Sequence, residues 1–219
     1  MALTKFNYNS FDLTTAASKG LAFNSGANGL TTAVDDSLTL IKTVTASSSS
    51  TVNFVDGTSS VVLDSTYPVY LFKFIDIHPG TSNADLGILA STDTGSNYGV
   101  ATTSTFFEAK HAEDDSQAEL AYITSFDAAQ STSLIKLTGS IASDNDSCGC
   151  GELYLFNPSS TTFVKHFIST ANRMFNSRSL NSFVAGYVNT TSAVDAIQFK
   201  MDSGNIDAGT IKLYGIKDS

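Results

Sequence analysis

The sequence has no tryptophan, three prolines, two cysteines and only 12 basic residues among 219. Its apolar runs fall short of the roughly 20 residues that a membrane-spanning helix needs. The N-terminus lacks the basic start and apolar block of a signal peptide. With a net charge of -9 and no cluster of Lys and Arg, the chain is expected to repel a phosphate backbone. Nucleic-acid binding and membrane insertion are therefore not expected, and we expect synthesis in a cytoplasm.

The two cysteines, Cys148 and Cys150, are separated only by Gly149. A disulfide between them would be strained, and they cannot join distant strands. A metal site would need further ligands, yet the three histidines are scattered along the chain. We interpret the pair as two thiols in a turn, with metal or redox chemistry as the alternative, and we predict no cofactor.

Short runs of alternating apolar and polar residues recur along the chain, separated by Gly, Asn, Asp, Ser or Pro. β-branched and aromatic residues are plentiful, which favours strands over helices. The run from Tyr67 to Ile77 carries apolar residues on both faces, which is typical of a central strand. About a dozen such strands predict an all-β fold, an antiparallel sandwich of the jelly-roll type. The predicted strands include TVNFV, SVVL, YPVYLFKFIDI, DLGILAS, SLIKLTGSIAS, GELYLFN, TFVKHFIST, SFVAGYVNT, AIQFKMD and GTIKLYGIK.

The first 50 residues differ from the rest because their apolar residues are sparse and have no long period. They end in the low-complexity run Ala46–Ser50. We predict an N-terminal arm or attachment segment over residues 1–50 and a β-sandwich domain over residues 51–219. A lone arm cannot offset its ordering entropy with a core of its own, so it should order against a partner.

The stretch STDTGSNY matches the spacing S-x-D-x-G-x-x-aromatic of Asp-box hairpins, which are familiar from sialidase propellers. The matching residues are Ser91, Asp93, Gly95 and Tyr98. Only one copy is present, and the chain has two arginines where sialidases need three to hold a carboxylate. We therefore predict a stiff structural turn and not a sialidase site.

No catalytic residue is predicted. Glycosidases need a carboxylate pair facing each other across a cleft, and three of the four glutamates cluster near one expected loop. No G-x-S-x-G nucleophile elbow is present. We expect a protein that is not an enzyme.

Asp144 and Asp146 place oxygen ligands at alternate positions in SDNDS, a chemistry that calcium favours. The remaining spacing of an EF-hand loop is absent. A turn rich in Asx residues explains the segment equally well, so these two residues are candidate cation ligands only.

Several stretches together resemble a family of virion structural proteins from marine tailed bacteriophages. They include YPVYLFKFIDIHP, STDTGSNYGV, TTSTFFEAKHAED and GELYLFNPSSTTFVKHFIST, and the most specific is SGNIDAGTIKLYGI. The resemblance covers roughly residues 51–217, and MALTKFNYNSFDL is similar to attachment segments of phage fibre-like proteins. It implies a β-sandwich, a multimer and an exposed position on the virion, and no catalytic motif.

Two functions remain open. The first is architectural: a capsid decoration, cement or tail-fibre component that docks through residues 1–50 onto capsid or tail proteins, as a homo-oligomer and preferably a trimer. The second is adhesion to a host-surface glycan by the tail. Sugar sites use aromatic platforms beside polar groups. The candidate platforms are Tyr98, Tyr122, Tyr154 and Tyr187.

Overall fold

The computed structural model describes residues 37–218 and the backbone of two short strands before them. The described residues form fifteen strands and a short 3-10 helix, Thr124–Phe126. In chain order the strands are β1 (Leu21–Phe23), β2 (Leu30–Thr32), β3 (Leu38–Ser49), β4 (Val52–Val55), β5 (Val69–Pro79), β6 (Ala84–Ser91), β7 (Thr102–Ala112), β8 (Ala118–Tyr122), β9 (Ala128–Ser131), β10 (Ile135–Ile141), β11 (Gly149–Phe156), β12 (Lys165–Met174), β13 (Arg178–Val188), β14 (Ala196–Met201) and β15 (Ile206–Ile216). No helix in the described part has the length and hydropathy that a membrane span requires.

The chain divides into two units between Asp36 and Ser37. In the first unit, β1 and β2 pair antiparallel. The expected arm extends to residue 50, but residues 38–49 form β3, which pairs with β15 along the second unit's larger sheet. The domain boundary is therefore corrected to residue 37. Apart from β1 and β2, the predicted arm before that position lies outside the described residues.

The second unit consists of two antiparallel sheets. The larger has the strand order β3-β15-β5-β11-β12-β13-β7-β8, with β9 also paired to β7. The smaller has the order β10-β6-β14-β4. Strand β5 lies between β15 and β11, which agrees with the central position expected from its apolar run.

Eight of these strands follow a jelly-roll order. In chain order they are β3, β4, β5, β6, β10, β11, β14 and β15. In the larger sheet the neighbours are β3, β15, β5 and β11, which are the first, eighth, third and sixth of the eight. In the smaller sheet they are β4, β14, β6 and β10, which are the second, seventh, fourth and fifth. Two Greek keys wound together produce this order. The predicted all-β sandwich of the jelly-roll type is confirmed.

Aromatic side chains from both sheets form the centre of the core. Phe72 on β5 of the larger sheet contacts Phe54 on β4 and Phe199 on β14 of the smaller sheet, each with ring centroids 5.3 Å apart. All three rings are fully buried. Side chains that alternate inward on each strand supply the surrounding layer, so burial of the inner faces holds the sheets together.

Two hairpins widen the larger sheet beyond the jelly roll. β12 and β13 follow β11, and β7 and β8 complete the row. The side of the larger sheet that turns away from the smaller one is called the outer face below. The added strands extend this outer face on one side of the core.

Candidate functional site

The stretch from Ser91 to Tyr98 forms one hydrogen-bonded turn after β6. The Asp93 carboxylate accepts hydrogen bonds from the Ser91 hydroxyl at 2.7 Å and from the Asn97 backbone and side-chain amides at 2.9 and 2.7 Å. The Ser91 hydroxyl oxygen accepts the Gly95 N–H at 3.1 Å. Gly95 has a φ of 74°, which glycine adopts without steric cost. Local bonds therefore stiffen this turn.

The charge of Asp93 is stabilised by these donors. Hydrogen bonds from the Asn97 side chain, the Asn97 backbone and the Ser91 hydroxyl lower the pKa of Asp93 to about 2. Donors that bind the ionised form favour it over the neutral acid. Asp93 is thus an acceptor fixed in its charged form, which suits a structural role and not proton transfer near neutral pH.

The hydroxyl group of Tyr98, the aromatic residue of this turn, points into the protein. The Tyr98 hydroxyl and Asp195 Oδ1 are buried, and neither has a hydrogen-bond partner among the described residues. Burial, and then the charges of Asp195 and Asp93, raise the pKa of Tyr98. The other Asp195 oxygen accepts the Thr94 N–H at 3.0 Å, which ties the turn to the start of β14. The Tyr98 hydroxyl is not accessible to a sugar.

Asp144 and Asp146 are exposed in the connection between β10 and β11. The Asp144 carbonyl accepts the Ser147 N–H at 2.9 Å, as in a tight turn. Neither aspartate belongs to a group of three possible metal ligands within residues 37–218. The geometry is that of an Asx-rich turn.

The other three candidate tyrosines lie on the outer face of the larger sheet. Tyr122 is 55% exposed, and its hydroxyl donates to Asp127 at 2.6 Å, a bond that raises the pKa of Tyr122. Tyr154 is half-buried on β11. The Tyr187 ring on β13 lies 5.9 Å from the His166 ring. The structure therefore separates Tyr98 from these three and does not form one sugar platform from all four.

The outer face is apolar along two rows of paired residues. Directly paired residues of an antiparallel sheet project to the same side. The strand registers therefore align these side chains across the sheet. We call this surface the apolar face; its residues are Leu40, Tyr214, Leu71, Tyr154 and Ile168 in one row and Phe183, Phe107 and Tyr122 in the other.

Several side chains of the apolar face are open to solvent. Leu40 is 52% exposed, Ile168 51% and Phe107 40%. The rings of Phe107 and Phe183 stack with centroids 4.8 Å apart and planes 11° from parallel. Ile168 and these rings border a shallow groove of about 190 Å³. Contiguous exposed apolar surface of this kind marks interaction sites in water-exposed proteins.

The outer face has almost no net charge. Its charged strand positions are Lys73, Lys212, Glu152 and, at one end, the exposed Asp76 and Asp207, so their sum is -1. Lys73 and Glu152 lie 3.9 Å apart as an ion pair. Since the whole chain has a net charge of -9, most of its excess negative charge lies away from this face.

Three of the four glutamates are paired with cations and do not face one another across a cleft. Glu113 is the remaining one and is exposed just after β7. The pairs are Glu108 with Arg173, Glu119 with Lys110 and Glu152 with Lys73. Each of these three carboxylates has a cation as its partner, so the pairings suit structural roles.

The apolar face left one signal in the sequence. Val69, Leu71 and Ile75 occupy the positions of β5 where a half-buried strand would carry polar residues. We interpret such leaky alternation as burial on both sides of the strand, which holds for Leu71 at 4% exposure but not for Ile75 at 37%. The same pattern in β11 and β12, at Tyr154 and Ile168, locates an exposed surface and not a second core.

Comparisons with models of known protein families, with curated proteins and with solved structures found no match to this chain.

Proposed function

We propose that this chain is a non-enzymatic structural component of a bacteriophage virion that assembles with further copies of itself through the apolar face. The phage assignment rests on the sequence resemblance. The assembly role rests on one structural observation, the two apolar rows on the outer face.

The size of the outer face suits a specific interface. Eight neighbouring strands about 4.8 Å apart span about 34 Å, and the band that contains the two apolar rows, about 7 Å apart, covers about 14 Å. The product, about 480 Å², is of the same order as the roughly 800 Å² that each partner contributes to a standard interface. Stacked aromatic rings such as Phe107 and Phe183 are the residues that oligomer interfaces favour.

The charge distribution favours a second copy of the same chain as the partner of the apolar face. Two chains of net charge -9 repel each other over most of their surfaces. The repulsion is smallest where positive and negative charges nearly balance, as they do on the outer face. A cyclic homotrimer, in which one part of this face contacts a different part of the face on the next copy, is the assembly that we expect, with capsid or tail proteins as further partners.

Docking onto the particle is assigned to the segment before residue 37. This is the shortened form of the predicted arm, because residues 38–49 already belong to the larger sheet. The apolar face and this segment thus have separate tasks, self-association and attachment.

The virion position is tested on purified particles. An antibody against residues 37–219 is applied to washed particles from the infected cells that produce this chain, and gold label is imaged. Label on the head supports a decoration or cement protein, and label on the tail supports a fibre-type component, for which glycan binding is then assayed. Absence of the chain from washed particles, despite its presence in the infected-cell lysate, would contradict the proposal.

A further inference from the structure

We propose that Cys148, Cys150 and Asp76 form a binding site for a thiophilic divalent cation of the Zn²⁺ class at one end of the outer face. The two cysteines carry free thiols. One potential ligand atom from each of the three residues lies within 4.8 Å of the other two. The inference is independent of the virion assignment.

The spacing of the cysteines places both thiols on one side of the chain. Cys150 lies in β11 and Cys148 immediately precedes this strand. In extended backbone, residues two positions apart project in the same direction. Cys150 pairs with Asn172, which is exposed, whereas Gly149 and Gly151 lie in the opposite phase of the strand.

A bulge in β5 brings the carboxylate to the thiols. The register between β11 and β5 shifts between Gly149 and Gly151, and Asp76 has a φ of 53° at this point. As a result, Ile75 and Asp76 are both exposed although they are consecutive in a strand. Bulges re-aim side chains, and this one directs Asp76 towards Cys150.

The interatomic distances fit tetrahedral coordination. Asp76 Oδ1 lies 3.5 Å from Cys150 Sγ and 4.0 Å from Cys148 Sγ. Zinc bonds of about 2.3 Å to sulfur and about 2.1 Å to oxygen, at tetrahedral angles, place sulfur and oxygen about 3.6 Å apart. Both sulfur–oxygen distances therefore lie within about 0.4 Å of that value, and the two sulfur atoms are no more than 4.8 Å apart.

The backbone on both sides of the thiols is held in place. His78 Nδ1 and the Ser147 carbonyl oxygen are 2.7 Å apart in a hydrogen bond just before Cys148. The Cys148 carbonyl accepts the Met174 N–H at 3.3 Å. The Asp76 N–H points to Cys150 Sγ at 3.2 Å. Such anchoring reduces the ordering entropy that metal binding must offset.

The donor set selects the class of cation. Ca²⁺ and Mg²⁺ require several oxygen ligands, and a single carboxylate does not supply them. Two thiolates and one carboxylate suit Zn²⁺, with a fourth position left for water at this solvent-accessible site. Binding releases the thiol protons, so affinity should fall as pH is lowered.

Cobalt substitution tests the site on the full chain. The purified, reduced protein is stripped with EDTA and titrated with Co²⁺, whose thiolate charge-transfer and tetrahedral visible bands report sulfur ligation directly. We expect one Co²⁺ per chain, displaced by Zn²⁺. Cys150→Ser should weaken the thiolate band and Cys148→Ser/Cys150→Ser should abolish it, while Asp76→Asn should weaken binding at least 10-fold, in the range seen when a ligand environment is disturbed. Asp146→Asn is the matched control and should bind as the wild type does.

Two results would overturn the site. One is a reduced wild-type chain whose thiols both react with a thiol reagent but which shows no thiolate–cobalt band. The other is Co²⁺ binding that is unchanged in the Cys148→Ser/Cys150→Ser variant. Circular dichroism of each variant checks that the sheets are intact. The wild-type titration tests the site even if a variant fails to fold.

Discussion

Arg173 and Glu108 form a buried ion pair beneath the larger sheet, with Arg173 Nη1 donating to Glu108 Oε2 at 2.6 Å. The Ser182 hydroxyl on the intervening strand β13 accepts from the same Nη1 at 3.0 Å. Arg173 Nε also donates to the Ser140 carbonyl of β10, at 2.9 Å. The arginine thereby joins the two sheets. Gly139 leaves room for it, since a Cβ there would lie 2.5 Å from Arg173 Nη2.

Removal of one partner of this pair should be costly. Arg173→Met leaves Glu108 buried without its cation, and we expect a loss of about 3–5 kcal/mol in the free energy of unfolding. Urea denaturation measures it. The Glu108→Gln/Arg173→Met variant should recover part of the loss because it contains no unpaired buried charge. A loss below about 1 kcal/mol for Arg173→Met would contradict this account, because it would show that the Glu108 carboxylate is not left buried without a partner.

The Asp-box-like turn should stabilise the fold in a pH-dependent way. The folded-state pKa of Asp93 is lowered to about 2 from a usual 3.8. The folded chain therefore binds fewer protons, and the contribution of Asp93 is fully present above about pH 4 and lost as pH falls towards 2. We expect Asp93→Asn to melt at a lower temperature than the wild type at neutral pH, with the difference shrinking over this window.

Exposed Asp146 provides the control for that comparison. Asp146→Asn should melt as the wild type does at neutral pH, since none of the hydrogen bonds described in its turn involves the Asp146 side chain. An Asp93 carboxyl titration by NMR that reports an ordinary aspartate pKa would contradict the role of the turn.

Lys165 should make stability rise at alkaline pH. Its side chain is buried, its Nζ donates to the carbonyls of Phe163 at 2.9 Å and Thr190 at 3.1 Å, and burial lowers its pKa below the usual 10.5. Between the folded and unfolded pKa values the unfolded chain binds more protons, so stability increases with pH there. The difference in urea midpoint between wild type and Lys165→Met should therefore move in favour of the wild type as pH approaches 10.5. A difference that does not change with pH would refute this.

Substitutions of two phenylalanines should show that the core contributes more to the free energy of unfolding than the apolar face does. Phe199→Ala removes a fully buried ring between the sheets and should cost about 3–5 kcal/mol. Phe183→Ala removes a partly exposed ring and should cost less than half as much when measured on the monomer. Equal losses would mean that the apolar face is part of the folding core.

Much of the fold could be predicted from local patterns. Alternation and turn residues locate most strands, because each inner face must be apolar to reach the core. β3 was not predicted as a strand. It lies at the edge of the larger sheet, and of Leu38–Ser49 only Ala46 is fully buried, so its sequence shows little alternation. SVVL is a predicted strand, yet Ser60–Leu63 is irregular. Its valine and leucine side chains Val61 and Leu63 are nevertheless buried, so apolar content alone misleads there.

The candidate sites depend on contacts that a local pattern does not contain. Asp76 lies 72 positions before Cys148, and only a bulge and the β5–β11 register bring them together. The apolar face likewise arises from pairing, since Phe107 and Phe183 belong to distant segments. By contrast, the hydrogen bonds of the Ser91–Tyr98 turn join residues that are close in sequence, which explains why the turn could be predicted from its residue spacing.

Self-association through the apolar face is tested most directly by sedimentation equilibrium of the full chain. The account predicts a concentration-dependent oligomer, a trimer, that becomes a folded monomer in the Ile168→Ser/Phe183→Ser variant. Phe163→Ser is the matched control, because Phe163 is 70% exposed but lies in the loop before β12, and it should leave the oligomer intact. A wild-type chain that stays monomeric at every concentration, or an oligomer that persists in the double variant, would contradict the account.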